Sequence, residues 1–280
     1  MFNQINLIAL QTIVNKEINR FMRIWSQTLL PSAITQTLYF VIFGSIIGSQ
    51  IRDIALINEF GQIIKTVPYI QFVVPGLVMM AVLTNAFTNT VSSFFGSKFQ
   101  KNIEELLVSP ASNWVIVWGY TIGGALRGVL VGAIIFGVAF LFNAVPVVSN
   151  YFVILLFVIL TAIMFSLAGL TNGIFAKKFD DVSIFPIFVL TPLTYLGGVF
   201  YSIKSLPITK FSLLNFDFVI NWQEISKLNP IVYMVDGFRY GFFGAGEMNV
   251  YFSLGMLLIF ITFFGWLNIY FLKKGVGMRS

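Results

Sequence analysis

Long apolar runs with few charges recur along this chain, and they constrain its fold more than any other feature. A charge-free stretch at 27–47 is followed by apolar runs at 69–95, 114–142, 151–175, 182–203 and 250–272. Each is close to the ~20 residues that an α-helix needs to cross a hydrocarbon core ~30 Å thick. Inside a bilayer every backbone N–H and C=O must be satisfied within the protein, so such runs predict helices. Of the 280 residues 58% are apolar and 10% charged, and mean hydropathy is +0.88. A soluble domain carries about a quarter charged residues, so lipid must replace water over much of this surface. The expected fold class is an all-α integral membrane protein with six transmembrane helices. No repeat of fixed period and no low-complexity linker divides it, which predicts a single domain over residues 1–280.

Loop charge sets the expected orientation. With the N-terminus inside, inner segments hold Lys16, Arg20, Arg23, Lys98, Lys101, Lys177, Lys178, Lys273, Lys274 and Arg279, while the short outer loops hold Arg52 and Lys65. The remaining outer cations lie in the long loop 204–249, which counts weakly in the positive-inside rule. Both termini are therefore expected in the cytoplasm. The net charge of +6 belongs to that pattern and gives no reason to expect nucleic acid. The first apolar run starts after about 25 residues without a small-residue cleavage site, so no cleavable signal peptide is expected. Residues 1–25 place Leu7, Leu10, Val14, Ile18, Phe21 and Trp25 at spacings of three and four, with Lys16, Arg20 and Arg23 on another face. That pattern predicts an amphipathic helix in the membrane interface, with a soluble partner-binding helix as the alternative.

Several chemistries are excluded. The chain has no Cys and no His, which removes disulfides, thiolate nucleophiles, Cys/His zinc sites and His acid–base catalysis. Asp217, Glu224, Asp236 and Glu247 offer carboxylates to a membrane enzyme, but they are spread widely and read better as solvated loop charge. None of the six runs carries Asp or Glu at membrane depth, where proton-driven carriers use them. No phosphate-binding loop of the Gly-x-x-x-x-Gly-Lys-Ser/Thr type occurs either. A channel would show a polar stripe on a span, and none is read beyond Arg127. Active transport would therefore need energy from another polypeptide and a docking element facing the cytoplasm. Segment 97–110 fits that need, with Phe99, Ile103, Leu106 and Leu107 on one helical stripe and Lys98, Lys101, Glu104 and Glu105 beside it. A helix stopped by Pro110 can present this stripe to a partner, or it can be an ordinary loop helix.

Arg127 interrupts the third run about halfway along, where a cation costs at least ~2.5 kcal/mol. Gly119 and Gly123, then Gly124, Gly128 and Gly132, allow another backbone to approach. Arg127 is therefore expected in a helix crevice or on a central path. Its expected partners are carbonyls, hydroxyls such as those of Thr161, Ser166 or Thr171, water, or substrate. It either pins helix packing or meets an anionic headgroup.

Four blocks carry a family resemblance. The segment Glu104, Glu105, Leu106, Leu107, Val108, Ser109, Pro110 resembles the coupling-helix signature of the ABC type-2 (ABC-2) exporter permeases. Tyr69, Phe72, Pro75 and Gly76 match the start of their second span, and 192–200 resembles the end of their fifth. Asn229, Pro230 and Tyr233, with Gly237 and Arg239, resemble their motif before the sixth span. The blocks fall in family order, and the likeness is greatest to YadH-like bacterial inner-membrane permeases. Relative to that group, 215–221 reads as an insertion and the loop 54–65 as long. The resemblance implies a half-transporter, not an enzyme, which pairs with a second copy of itself and with two soluble ABC ATPase subunits. ATP and Mg would bind those subunits, and this chain would hold no cofactor or metal. Segment 97–110, with Phe99, Lys101, Ile103, Glu104, Glu105, Leu106, Leu107, Val108 and Pro110, would be the coupling helix. Residues 1–25 would be the connecting helix, and 204–249 would carry re-entrant helices. Lipids, lipid-linked polysaccharides and amphipathic drugs are the substrates the family implies.

Overall fold

The computed structural model describes residues 4–48, 50–51, 53–57, 62–213 and 216–277, with backbone alone at 44–45, 57, 210–213 and 216–219. Among the described residues, four uninterrupted helices are long and apolar enough to cross a membrane: α4 (Tyr69–Phe99), α6 (Asn113–Leu141), α7 (Tyr151–Phe175) and α12 (Val250–Lys274). Their starts follow local chemistry. The Asn150 side chain accepts from the N–H groups of Phe152 and Val153, and Asn249 does the same for Tyr251 and Phe252. These caps satisfy donors that a helix start leaves open.

The other two expected spans are built from pieces. Over 27–47 the chain forms the end of α2 (Trp25–Thr28), then α3 (Leu30–Tyr39), then a wider π-type coil over Phe40–Ile47. Over 182–203 it forms most of α8 (Phe179–Phe185), a π-type coil over Pro186–Leu190 and α9 (Thr191–Tyr195). The Thr191 N–H reaches back to the Pro186 carbonyl. Prolines at 31, 186 and 192 donate no N–H, so the hydrogen-bond ladder widens or restarts around them. The fifth helical stretch also ends earlier than expected, because Gly198 turns the chain at φ +70. Among the described residues, four of the six expected spans are thus uninterrupted helices and two are broken.

Two antiparallel hairpins also depart from an all-α fold. β1 (Ile54–Ile57) pairs with β2 (Ile63–Val67), and β3 (Ile208–Leu213) pairs with β4 (Phe216–Asn221). The 204–249 loop, expected to hold short re-entrant helices, also carries the second hairpin, before α10 (Trp222–Lys227) and α11 (Pro230–Phe243). Both hairpins are rich in Ile, Val, Thr and Phe, which fit a pleated surface. The expected insertion 215–221 falls on β4, except for residue 215, which lies outside the described residues.

Helix α4 is the hub. Its apolar window is 78% buried, against 17% for α12, so most of α12 is exposed on the outside of the bundle. The two glycine stripes of α6 serve different neighbours. On one, a Cβ at Gly124 would overlap Thr90 Oγ1, one at Gly128 would lie 2.8 Å from Ala86 Cβ, and one at Gly132 2.5 Å from Val82 Cγ2, all on α4. On the other, Gly119 receives Ile13 and Gly123 receives Glu17 from α1 (Gln4–Arg23). The Ser112 N–H also donates to Asn6 Oδ1 at 3.2 Å. Helix α1 therefore runs alongside α6 in the same direction. Its buried face is centred on Ile13, Glu17 and Phe21, while Leu7 and Trp25 of the expected apolar stripe are exposed.

Candidate functional site

Segment 97–110 is not one helix. Ser97, Lys98 and Phe99 complete α4, Lys101 turns the corner with a left-handed φ of 62, and α5 (Asn102–Val108) ends before Ser109 and Pro110. The expected stripe splits accordingly. The Phe99 ring lies tilted against that of Phe95 and edge-on to that of Phe179. Ile103 is fully enclosed in a cluster with Ile13, Phe94, Ile116 and Tyr120, and Leu106 and Leu107 pack against it. A helix of seven residues is too short to stand alone, so its apolar face anchors it to the bundle. The surface that looks outward is Lys101, Asn102, Glu104, Glu105, Pro110 and Val108, the last 87% exposed. Beside this contact a cavity of about 460 Å³ opens between α5 and α1 and is lined by Lys16 and Glu105, among others. In the neighbouring loop, the N–H groups of Lys177 and Lys178 donate to Asp181 Oδ2 and hold its carboxyl below the usual carboxylate range.

Arg127 lies in a crevice, 8% exposed, at the middle of α6. Its Nη2 donates to the Thr28 carbonyl at 3.1 Å and to Asn85 Oδ1 at 3.3 Å, and its Nη1 donates to Asn89 Oδ1 at 3.3 Å. The hydroxyls expected as partners do not serve. Thr171 bonds Leu167 and Asn268, and Thr161 and Ser166 have no hydrogen-bond partner among the described residues. Asn89 Oδ1 also accepts from Arg20 Nη2 at 2.7 Å, so one amide oxygen holds two guanidiniums. Arg20 in turn pairs with Glu17 at 3.1 Å, and the Ser93 hydroxyl donates to Glu17 Oε1 at 2.5 Å. Ser32 closes the other end by donating to Asn85 Oδ1 at 3.2 Å. This continuous polar seam joins α1, α3, α4 and α6.

The residues Glu17, Asn85, Asn89 and Ser93 were not anticipated as site residues. A signal for them exists in the sequence. Asn85, Asn89, Ser93 and Ser97 recur every four residues along an apolar span and so share one face. Ser97 completes the stripe by accepting from the Tyr120 hydroxyl at 3.0 Å.

The motif ahead of α12 is structural in its contacts. Asn229 caps α11 at the Ile231 N–H and donates to the Leu193 carbonyl at 2.6 Å, and Pro230 opens the helix. The Tyr233 hydroxyl donates to the Lys227 carbonyl, and Gly237 makes room for the Phe157 ring. Arg239 donates to the Gly198 carbonyl at 2.9 Å and lies 3.8 Å over the Phe72 ring. Of the four loop carboxylates, Asp236 accepts from the N–H groups of Glu247 and Met248, and Glu247 from that of Ile203. Glu224 pairs with Lys227 on the surface. The side chain of Asp217 lies outside the described residues.

Comparison with known proteins agrees with this architecture. Residues 8–243 match the ABC-2 type transporter family. The chain is similar to "Inner membrane transport permease YadH" of Escherichia coli (strain K12), 52% identical over 273 residues that cover 98% of each protein. It is also similar to "Nodulation protein J" of Rhizobium leguminosarum bv. viciae, 24% identical over 206 residues, 70% of this chain and 71% of that one. The chain belongs to the ABC-2 type transporter family, as the non-catalytic membrane component that associates with an ABC ATPase subunit.

Proposed function

We propose that this chain is the transmembrane half of an ATP-driven exporter in a bacterial inner membrane. Two copies form the path, and two ATPase subunits dock beneath them. The chain crosses six times, with the broken segments over 27–47 and 182–203 as first and fifth spans and both termini in the cytoplasm. The cargo is a lipid, glycolipid, lipid-linked polysaccharide or other amphipathic compound. The observation that carries this reading is the short helix α5, set between the two longest spans with Glu104, Glu105 and Val108 turned outward. Charged groups on an exposed rim select a partner and orient it. The test is the double substitution Glu104→Lys and Glu105→Lys, read by copurification of the ATPase and by export. Both should fall while membrane insertion is unchanged. Full copurification and export in the double variant would remove α5 as the coupling element.

A further inference from the structure

The seam around Arg127 is hydrogen-bonded but not neutral. Arg20 and Arg127 share one amide oxygen, and Glu17 is the one carboxylate among the described residues that bonds to the group. Amide and carbonyl oxygens accept hydrogen bonds without cancelling charge. A cation at membrane depth costs at least ~2.5 kcal/mol, and a second one beside it adds repulsion in a medium that screens poorly. Two donors at the same place, Arg127 Nε and Asn89 Nδ2, are buried and find no acceptor among the described residues.

The group is also reachable. The Arg20 side chain is 30% exposed, and on α1 around it Lys16, Asn19 and Arg23 are exposed at spacings of three and four. Cations therefore lead from the cavity beside α5 to the middle of α6. An apolar stripe follows directly in the chain, with Leu30, Ile34 and Leu38 exposed at four-residue spacing on α3. Cations followed by exposed aliphatic surface match a molecule with an anionic head and a greasy tail.

We propose that this track receives a phosphate-bearing anionic amphiphile. Lys16 draws the headgroup from the inner leaflet, Arg20 holds it, and its phosphate supplies the negative charge that the Arg20–Arg127 pair lacks. The acyl part lies on the Leu30, Ile34 and Leu38 surface. The role of this site in transport rests on the permease reading above, and the binding itself does not.

Asn89→Asp is the discriminating variant. It is nearly isosteric and sets a carboxylate between the two guanidiniums, so it satisfies the seam from within. The permease, alone and with its ATPase, is placed in phosphatidylcholine nanodiscs with or without phosphatidylglycerol. Retained lipid is read by native mass spectrometry, and ATP turnover is read on the complex. The wild type should retain phosphatidylglycerol over phosphatidylcholine, and its ATP turnover should rise with that lipid. Asn89→Asp should lose the preference by about tenfold, the scale of one charge-assisted hydrogen bond, and should unfold at a temperature no lower than wild type. Arg20→Gln, which leaves Arg127 and Asn89 in place, should lose the preference as well. Equal retention of phosphatidylglycerol by wild type and Asn89→Asp overturns the proposal. Displacement of the lipid by inorganic phosphate at equal concentration overturns it in favour of a soluble anion. Retention without any change in ATP turnover overturns the transport role and marks a resident lipid. Failure of an ATPase to copurify would strike the permease reading alone, because lipid retention is measured on the permease by itself.

Discussion

Glu17→Leu tests the least anticipated feature of the fold, the docking of α1 along α6. Glu17 is fully buried, fills the space left by Gly123, accepts the Ser93 hydroxyl at 2.5 Å and pairs with Arg20 at 3.1 Å. Removing one partner of a buried ion pair costs about 3–5 kcal/mol. Arg20 is 30% exposed, and solvent screening brings the expected loss down to about 2–3 kcal/mol. Part of that is the Ser93 hydroxyl left without its acceptor, about 1–2 kcal/mol. The assay is thermal unfolding of the purified protein across a double-mutant cycle of Glu17→Leu, Arg20→Leu and both together. The cycle should return a coupling of about 1–2 kcal/mol. If α1 instead lay free in the interface with its apolar face in lipid, Glu17→Leu would add apolar surface and leave stability equal or higher. A midpoint at or above wild type, with no coupling to Arg20, would refute the docked arrangement.

Two further outcomes follow from the same geometry. Gly119→Ala should destabilise by about 1–3 kcal/mol, because its Cβ would lie 2.6 Å from Ile13 Cγ2; Ile13→Ala in the same chain should restore most of the loss, and a failure to do so in thermal unfolding would separate α1 from α6. A single Cys placed at Ile63 on the first hairpin, in a chain that has no other Cys, should react in intact cells with a probe that cannot cross the membrane. A Cys at Lys101 should not, and the reverse pattern would invert the proposed topology.

The four long helices were legible to within four residues at their ends, since a continuous apolar run states its own length. The runs read at 69–95, 114–142, 151–175 and 250–272 stand as Tyr69–Phe99, Asn113–Leu141, Tyr151–Phe175 and Val250–Lys274. Hydropathy cannot report hydrogen-bond geometry, so it passed over the breaks near Pro31, Pro186 and Pro192. Periodicity on α5 showed that an apolar face exists but not where it points, and a two-turn helix must spend that face on its own anchorage. Arg127 was marked by its cost alone, which requires buried partners without naming them. Those partners, Thr28, Asn85 and Asn89, come from helices whose rotation about their own axes no local pattern gives.

One combination would have narrowed the choice. Asn85, Asn89, Ser93 and Ser97 form a polar stripe on a span that is otherwise apolar, and such a stripe cannot face lipid without leaving its amides unsatisfied. Helix α1 carries a single acid, Glu17, within a basic set of Lys16, Arg20 and Arg23. A carboxylate in that position weakens attraction to anionic headgroups, so membrane binding alone gives no reason for it. Taken together, a span that needs polar neighbours and a neighbouring helix with a charge unsuited to the interface point to the same contact. The structure makes that contact through Ser93 to Glu17 and through Asn89 to Arg20. The same reasoning separates α12, whose window is largely exposed and whose one fully buried amide, Asn268, is matched locally by Thr171 and the Leu167 carbonyl of α7. A lone polar residue on a span thus indicates a helix pair, whereas a stripe of four indicates a seam along which a whole helix is docked.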